Sequence, residues 1–278
     1  MDLICSYVVL TLAAGFLATH ALRAMRGGAV ALRDGRRRAG DPLVDWASPG
    51  LACMLSPVID ALIAAGVSAN AVTGVSLVAG LFAGGALALG HFGVAALGIA
   101  VASLGDAVDG RVARRTGTAS VAGALFDASV DRYEEFFVMG GLALYFRSSV
   151  GALALGLFAI AGSFMVSYGS AKAEAHGVPV PGGFLRRASR ASLLAGGTTF
   201  VPIAAAIAQP LSAPAWVAYS PVLLALALIA GAANASAILR LRTVACVVSA
   251  GPAVARARKK GRRVSTLPDV IARADAAE

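Results

Sequence analysis

Apolar residues gather into seven long runs, near 3–22, 70–90, 92–113, 120–146, 149–170, 191–208 and 215–239. Each approaches the length of about 20 apolar residues that a helix needs to cross a bilayer, so the pattern predicts seven spanning helices. Short polar or Gly/Pro-containing breaks separate most of them, at Gly90-His91, Arg115–Thr118, Arg147–Ser149 and Gln209–Pro214. The first run follows Met1-Asp2 and has basic residues after it rather than before it. It therefore reads as a retained anchor and not as a cleaved leader.

Between the first two runs the period changes. Leu51, Met54, Leu55, Val58, Ile59, Leu62 and Ile63 recur at helical spacing and form one stripe, too short to span and suited to an amphipathic helix at the membrane interface. Ser48-Pro49 and Ser56-Pro57 each offer a capping serine followed by a proline at the first helical position, so one of them is expected to start or kink this helix.

Composition agrees with a membrane protein. Hydrophobic residues make up 58% and charged residues only 14%, well below the charge density of soluble domains. No second globular domain and no nucleic-acid partner is expected. The 32 glycines fit helices packed closely in lipid. Cys5, Cys53 and Cys246 are far apart and show neither a disulfide nor a metal-ligand pattern.

The formal net charge of +9 matters through its placement. If seven spans alternate, all but two of the 24 Lys and Arg residues fall on one side. They follow the first run (Arg23 to Arg38), end the third (Arg111, Arg114, Arg115) and follow the fifth (Lys172, Arg186, Arg187, Arg190). The rest end the seventh (Arg240, Arg242) or fill the tail (Arg256 to Arg273). Basic loops stay cytoplasmic, which puts the N-terminus outside and the active site facing the cytoplasm, with the cell inner membrane as the expected location. The expected division is a spanning anchor and basic loop over 1–45, a membrane domain over 46–245 and a basic cytoplasmic tail over 246–278. That tail can attract anionic lipid headgroups.

Charge inside a span is costly and points to function. The third run carries Asp106 and Asp109 and the fourth carries Asp127 and Asp131, each pair on one helix face and both near the hairpin that joins the runs. Four converging carboxylates call for divalent cations, and hard oxygen ligands suit Mg²⁺, Mn²⁺ or Ca²⁺. Gly110, Ala113 and Gly123 leave room beside them for a close phosphate, and Arg114 brings a guanidinium suited to an anionic oxygen. A divalent-cation channel is a competing reading, but it would spread acids through the depth of several helices rather than gather them at one end.

The string Asp106-x2-Asp109-Gly110-x2-Ala113-Arg114-x8-Gly123-x3-Asp127-x3-Asp131 resembles the signature of CDP-alcohol phosphotransferases. Asn70-Ala-Val-Thr73 is similar to the turn that opens that family's first core helix, with Ala69 where proline is common. The resemblance covers about 46–243 and implies an all-α membrane fold of six core spans preceded by a cytoplasmic interfacial helix, with the helix at 3–22 additional. It implies transfer of a phosphatidyl group from CDP-diacylglycerol to an alcohol, releasing CMP, with two Mg²⁺ or Mn²⁺ ions as cofactors. Metal would be held by Asp106, Asp109, Asp127 and Asp131, with Asp131 also the general base. The CDP group would lie against Asp106, Gly110, Ala113, Arg114 and Gly123. A homodimer is compatible with it.

The stretch Ser167-Tyr168-Gly-Ser170-Ala-Lys172-Ala-Glu174, followed by Gly182-Gly183-Phe184-Leu185-Arg186-Arg187-Ala-Ser-Arg190, is similar to the acceptor-phosphate segment of phosphatidylinositol phosphate synthases. That branch commonly has a basic residue where Ser170 stands and an arginine where Lys172 stands. The resemblance implies a phosphate site at Lys172, Arg186, Arg187 and Arg190, with inositol phosphate as first acceptor. Phosphatidylglycerol phosphate and phosphatidylserine synthesis remain as alternatives, while Glu134 and Glu135 are expected to be solvated or packing residues.

The charge asymmetry makes a topological prediction. Single-cysteine variants at Ser149 and Ser212 should react with an impermeant thiol reagent in intact cells, whereas one at Ser189 should not, and the reverse pattern would overturn the orientation.

Overall fold

The computed structural model describes residues 1–25, 42–179 and 185–249. The basic loop after the first helix, residues Gly182 to Phe184 and the tail from Gly251 lie outside this set. The described residues form helices only: α1 (Asp2–Met25), α2 (Pro42–Ala64), α3 (Ala69–Ala88), α4 (Phe92–Arg115), α5 (Val121–Tyr145), α6 (Val150–Ala175), α7 (Arg187–Ala208) and α8 (Trp216–Ser249). Six of them, α1, α3, α4, α6, α7 and α8, are long and apolar enough to cross a membrane. The remaining long helix, α5, carries Asp127, Asp131, Arg132, Glu134 and Glu135.

A helix stands at each of the seven expected spans, with the charged α5 the one outside the six apolar enough to cross. Their ends shift most where polar residues follow an apolar run: α6 continues through Lys172 to Ala175, α7 begins at Arg187, and α8 extends past Arg240. These side chains keep helical backbone bonds while their charges find partners at the end of the bundle.

The helix α2 is one continuous element from Pro42, so neither Ser48-Pro49 nor Ser56-Pro57 starts it. Pro42 occupies the first helical position, where its missing N–H costs nothing. The expected stripe also divides. Ile59 is fully buried, and Leu55, Leu62 and Ile63 pack with it against Val72, Val108 and Val112. Met54 and Val58 face outward. Arg115 ties α2 to the end of α4 through Asp60 and, at 2.9 Å, Ser56.

Small residues bring the core helices together. A Cβ on Gly84 of α3 would lie 2.3 Å from the Phe137 carbonyl oxygen of α5, and one on Gly141 would lie 2.2 Å from the Gly84 carbonyl oxygen. Gly105 meets Ser76 and Gly98 meets Ala83 between α3 and α4, while Gly197 meets Val222 and Ala225 between α7 and α8. In lipid, where tails are as apolar as side chains, such close packing is a main source of helix association. Between α6 and α8, Asn234 adds a hydrogen bond to the Phe158 carbonyl at 2.9 Å. Leu87, Met139, Leu142, Leu226 and Ile229 fill the centre. At the end away from the acids, Phe92, Tyr145, Phe146 and Tyr219 stack edge to face, with the two tyrosine hydroxyls 2.6 Å apart.

The first helix lies against α4 and α7. Its Asp2 carboxylate accepts from the Val94 backbone N–H at 3.1 Å and lies 3.3 Å from His91 Nδ1. It thereby caps the start of α4, whose own cap residue His91 supplies no side-chain bond.

The α3–α5 crossing generates a stability prediction. Gly141→Leu forces two backbones apart and should lower stability by about 1–3 kcal/mol or more. Gly85→Ala, whose Cβ would meet nothing within 4 Å, should be neutral or slightly stabilising. Thermal unfolding in detergent compares them, and equal effects would remove the crossing as the reason.

Candidate active site

The site is built on the hairpin of α4 and α5. Gly117 adopts φ 69°, a left-handed turn conformation natural to glycine, and lets the chain reverse over residues 116–120. Ser120 then caps α5, its Oγ accepting from the Gly123 N–H at 3.0 Å. The reversal turns the acidic faces of the two helices toward each other. Asp106, Asp127 and Asp131 each present an oxygen within 4.8 Å of the others.

Asp109 stands beside this group with a different set of contacts. It is 3% exposed; its Oδ2 accepts from Thr73 Oγ1 at 2.7 Å and its Oδ1 from the Gly110 N–H at 2.5 Å. Thr73, noted in the sequence only as part of an opening turn, thus fixes the orientation of a signature carboxylate from α3. Asp109, Gly110, Ala113, Arg114, Gly123 and Asp127 line a cavity of about 500 Å³ that reaches the α2–α3 turn at Ser68 and Asn70. Asp106 instead opens on a pocket of about 40 Å³ with Glu134, Glu135 and Arg187.

The first turn of α7 supplies the countercharges. Arg187 Nη2 lies 2.5 Å from Asp106 Oδ2 and 3.1 Å from Glu134 Oε2, and its Nη1 lies 2.6 Å from Asp131 Oδ1. Arg190 forms a fork on Glu135, with contacts of 2.5 and 3.1 Å, and donates to the Leu185 carbonyl. Glu134 and Glu135 are therefore not solvated. Glu134 is 5% exposed and packs against Gly80 of α3. Their signal was present in the sequence: two more acids inside a span need partners.

The expected acceptor residues separate on inspection. Arg187 is drawn among the carboxylates, and Arg190 is 3% exposed and held by Glu135. Arg186 caps α7, half-buried, while Lys172 is exposed with its Nζ 5.4 Å from the Tyr168 ring centre. At Ser170, where a cation is missing from the sequence, Arg240 of α8 donates to the Ser170 hydroxyl. A basic group occupies that neighbourhood from another helix, a substitution no local motif displays.

The donor set fits a divalent cation. The three converging carboxylates are hard oxygen ligands, and Asp106 Oδ1 is buried with no hydrogen-bond partner. Of the four aspartates expected as ligands, the structure brings three together and places Asp109 alongside.

The family model of CDP-alcohol phosphatidyltransferase matches residues 66–233. The phosphatidylinositol phosphate synthase of Streptomyces avermitilis is 34% identical over 152 residues, covering 52% of this chain and 62% of its own length. A bifunctional IPC transferase and DIPP synthase of Rubrobacter xylanophilus is 42% identical over 100 residues, covering 36% of this chain and 22% of that protein. The chain thus spans less than two thirds of these relatives. Among solved structures, the Mycobacterium tuberculosis phosphatidylinositol phosphate synthase with CDP-DAG bound has a TM-score of 0.59 at 24% identity, covering 69% of this chain and 94% of that one. The same protein in complex with manganese and citrate gives 0.59 over 68% of this chain and 87% of that one. This likeness establishes the shared fold.

The site geometry predicts metal affinities. Asp127→Asn should abolish Mn²⁺ binding measured by calorimetry or by electron paramagnetic resonance. Thr73→Val, which removes an outer partner of Asp109, should weaken it about tenfold or more. Unchanged affinity in Asp127→Asn would exclude the cluster as the cation site.

Proposed function

The chain belongs to the CDP-alcohol phosphatidyltransferase family, and we propose that it transfers a phosphatidyl group from CDP-diacylglycerol to a phosphorylated polyol, releasing CMP. It is an integral membrane protein. The observation that carries the reading is the convergence of Asp106, Asp127 and Asp131 beside a cavity lined by Gly110, Ala113, Arg114 and Gly123. A nucleotide diphosphate needs that combination: close backbone access, a guanidinium and a cation-binding end.

In this reading CDP occupies the 500 Å³ cavity, with Arg114 on its diphosphate and the small residues letting the nucleotide approach. Asp106, Asp109, Asp127 and Asp131 hold one or two Mg²⁺ or Mn²⁺ ions, which when bound offset charge on the attacking and leaving oxygens. Asp131 accepts the proton of the acceptor hydroxyl. The hydroxyl oxygen forms a bond to the lipid-side phosphorus. The bond from that phosphorus to the bridging oxygen breaks, and CMP leaves with the electron pair.

Cations gathered at one end favour a phosphorylated acceptor. Lys172, Arg186, Arg187 and Arg190 come from α6 and α7, and Arg240 joins them on Ser170 from α8. Arg190 is committed to Glu135, but a phosphate can take charge-assisted hydrogen bonds from the other cations, which a neutral alcohol cannot. Inositol phosphate is the first expected acceptor and glycerol phosphate the second. The one-sided distribution of Lys and Arg supports an active site facing the cytoplasm at the inner membrane.

Radiolabelled CDP-diacylglycerol and purified protein, assayed against inositol phosphate, glycerol phosphate, serine and inositol, test the reading. Chelator should abolish turnover, and Asp131→Asn should lower kcat about 10²–10⁴-fold. Preference for serine or unphosphorylated inositol would rule out the phosphate cluster, and full activity of Asp131→Asn would rule out the base.

A further inference from the structure

Two of the three clustered carboxylates have two claimants. Asp106 and Asp131 belong to the group whose oxygens converge within 4.8 Å, and the same two residues bind the guanidinium of Arg187. A divalent cation and Arg187 therefore compete for the same two carboxylates. The partners of Arg187 are split among Asp106, Asp131 and Glu134 on two helices, with contacts of 2.5, 2.6 and 3.1 Å. None of these is the two-pronged fork that makes arginine–carboxylate pairs hard to displace.

Arg190, three residues later, is the internal contrast. It forks onto one carboxylate, Glu135, and its side chain is 3% exposed against 32% for Arg187. One arginine of the pair is locked, while the other is partly exposed and bound to carboxylates of the cluster. Arg187 is also the first residue of α7, so its side chain can swing with little helix to disturb.

We propose that Arg187 is an exchangeable partner of the carboxylate cluster: a divalent cation taking Asp106 and Asp131 releases its guanidinium, which then binds the acceptor's phosphate. Cation and acceptor phosphate therefore bind with positive coupling, and the cluster offers its anion-binding arginine only after it has gained a cation. The double charge of the cation favours it over one guanidinium at these carboxylates, and the released charge is matched again by the phosphate. Linkage makes the effect reciprocal, so the phosphate must tighten the cation by the same factor. The exchange stands on the contacts alone; the phosphate step rests on the acceptor reading above.

Two measurements on the full chain in detergent test it. In the wild type, phenylglyoxal modification followed by peptide mass spectrometry should become several-fold faster at Arg187 when Mn²⁺ is added, with Arg190 unaffected. Mn²⁺ titration by electron paramagnetic resonance should show Arg187→Gln binding the ion about tenfold more tightly than wild type. Inositol phosphate should tighten Mn²⁺ in the wild type and not in Arg187→Gln. Unchanged or slower labelling, or weaker Mn²⁺ binding in Arg187→Gln, would overturn the exchange and make Arg187 a permanent member of the metal site. Because the labelling uses unaltered protein, it decides the question even if the variant does not fold. If inositol phosphate is turned over yet leaves wild-type Mn²⁺ affinity unchanged, the coupling fails. If it is neither turned over nor affects Mn²⁺ while Mn²⁺-dependent labelling persists, the acceptor reading fails and the exchange stands.

Discussion

Arg187 and Arg190 enter the bundle at the first turn of α7 and neutralise acids that α4 and α5 could not otherwise bury. An ionised carboxylate among apolar helices carries a desolvation cost of several kcal/mol, and here Asp106, Asp131, Glu134 and Glu135 lie together. Removing either arginine leaves a buried charge without its partner, a loss that in other proteins costs about 3–5 kcal/mol. These pairs link the first turn of α7 to α4 and α5.

Glycine makes the pairing possible on the other side. Gly80 admits Glu134, and the Gly84–Gly141 contact lets the α3 and α5 backbones touch. A bulkier α3 would push α5 outward and separate Glu134 from Arg187. Thr73, on the same α3, holds Asp109. One helix without a charged residue thus positions acids on two others, which explains why its sequence looks unremarkable for function.

The spans, their order and the α4–α5 signature could be read directly, because hydrophobic run length and i, i+3 or i, i+4 spacing are local properties. Arg187 meets Asp106 across 81 residues, and Arg240 meets Ser170 across 70. No local pattern encodes such meetings. The missing cation at Ser170 looked like a loss because its replacement comes from α8. Glu134 and Glu135 are packed rather than solvated: their cost inside a span was visible, but their partners were not. Of the two roles open to the Ser-Pro pairs, starting or kinking α2, the start falls instead at Pro42, because both pairs imitate a helix start inside a continuous helix.

The contacts of Asp2 with His91 and Val94 join positions 89 and 92 residues apart. These bonds cannot form until the beginning of α4 has left the ribosome and entered the membrane. α1 is thus made before its seat on α4 exists, and waits in the bilayer while the α3–α4 hairpin arrives. Damage to α1 would then register in the yield and timing of biogenesis, with the protein that does assemble keeping a sound reaction centre.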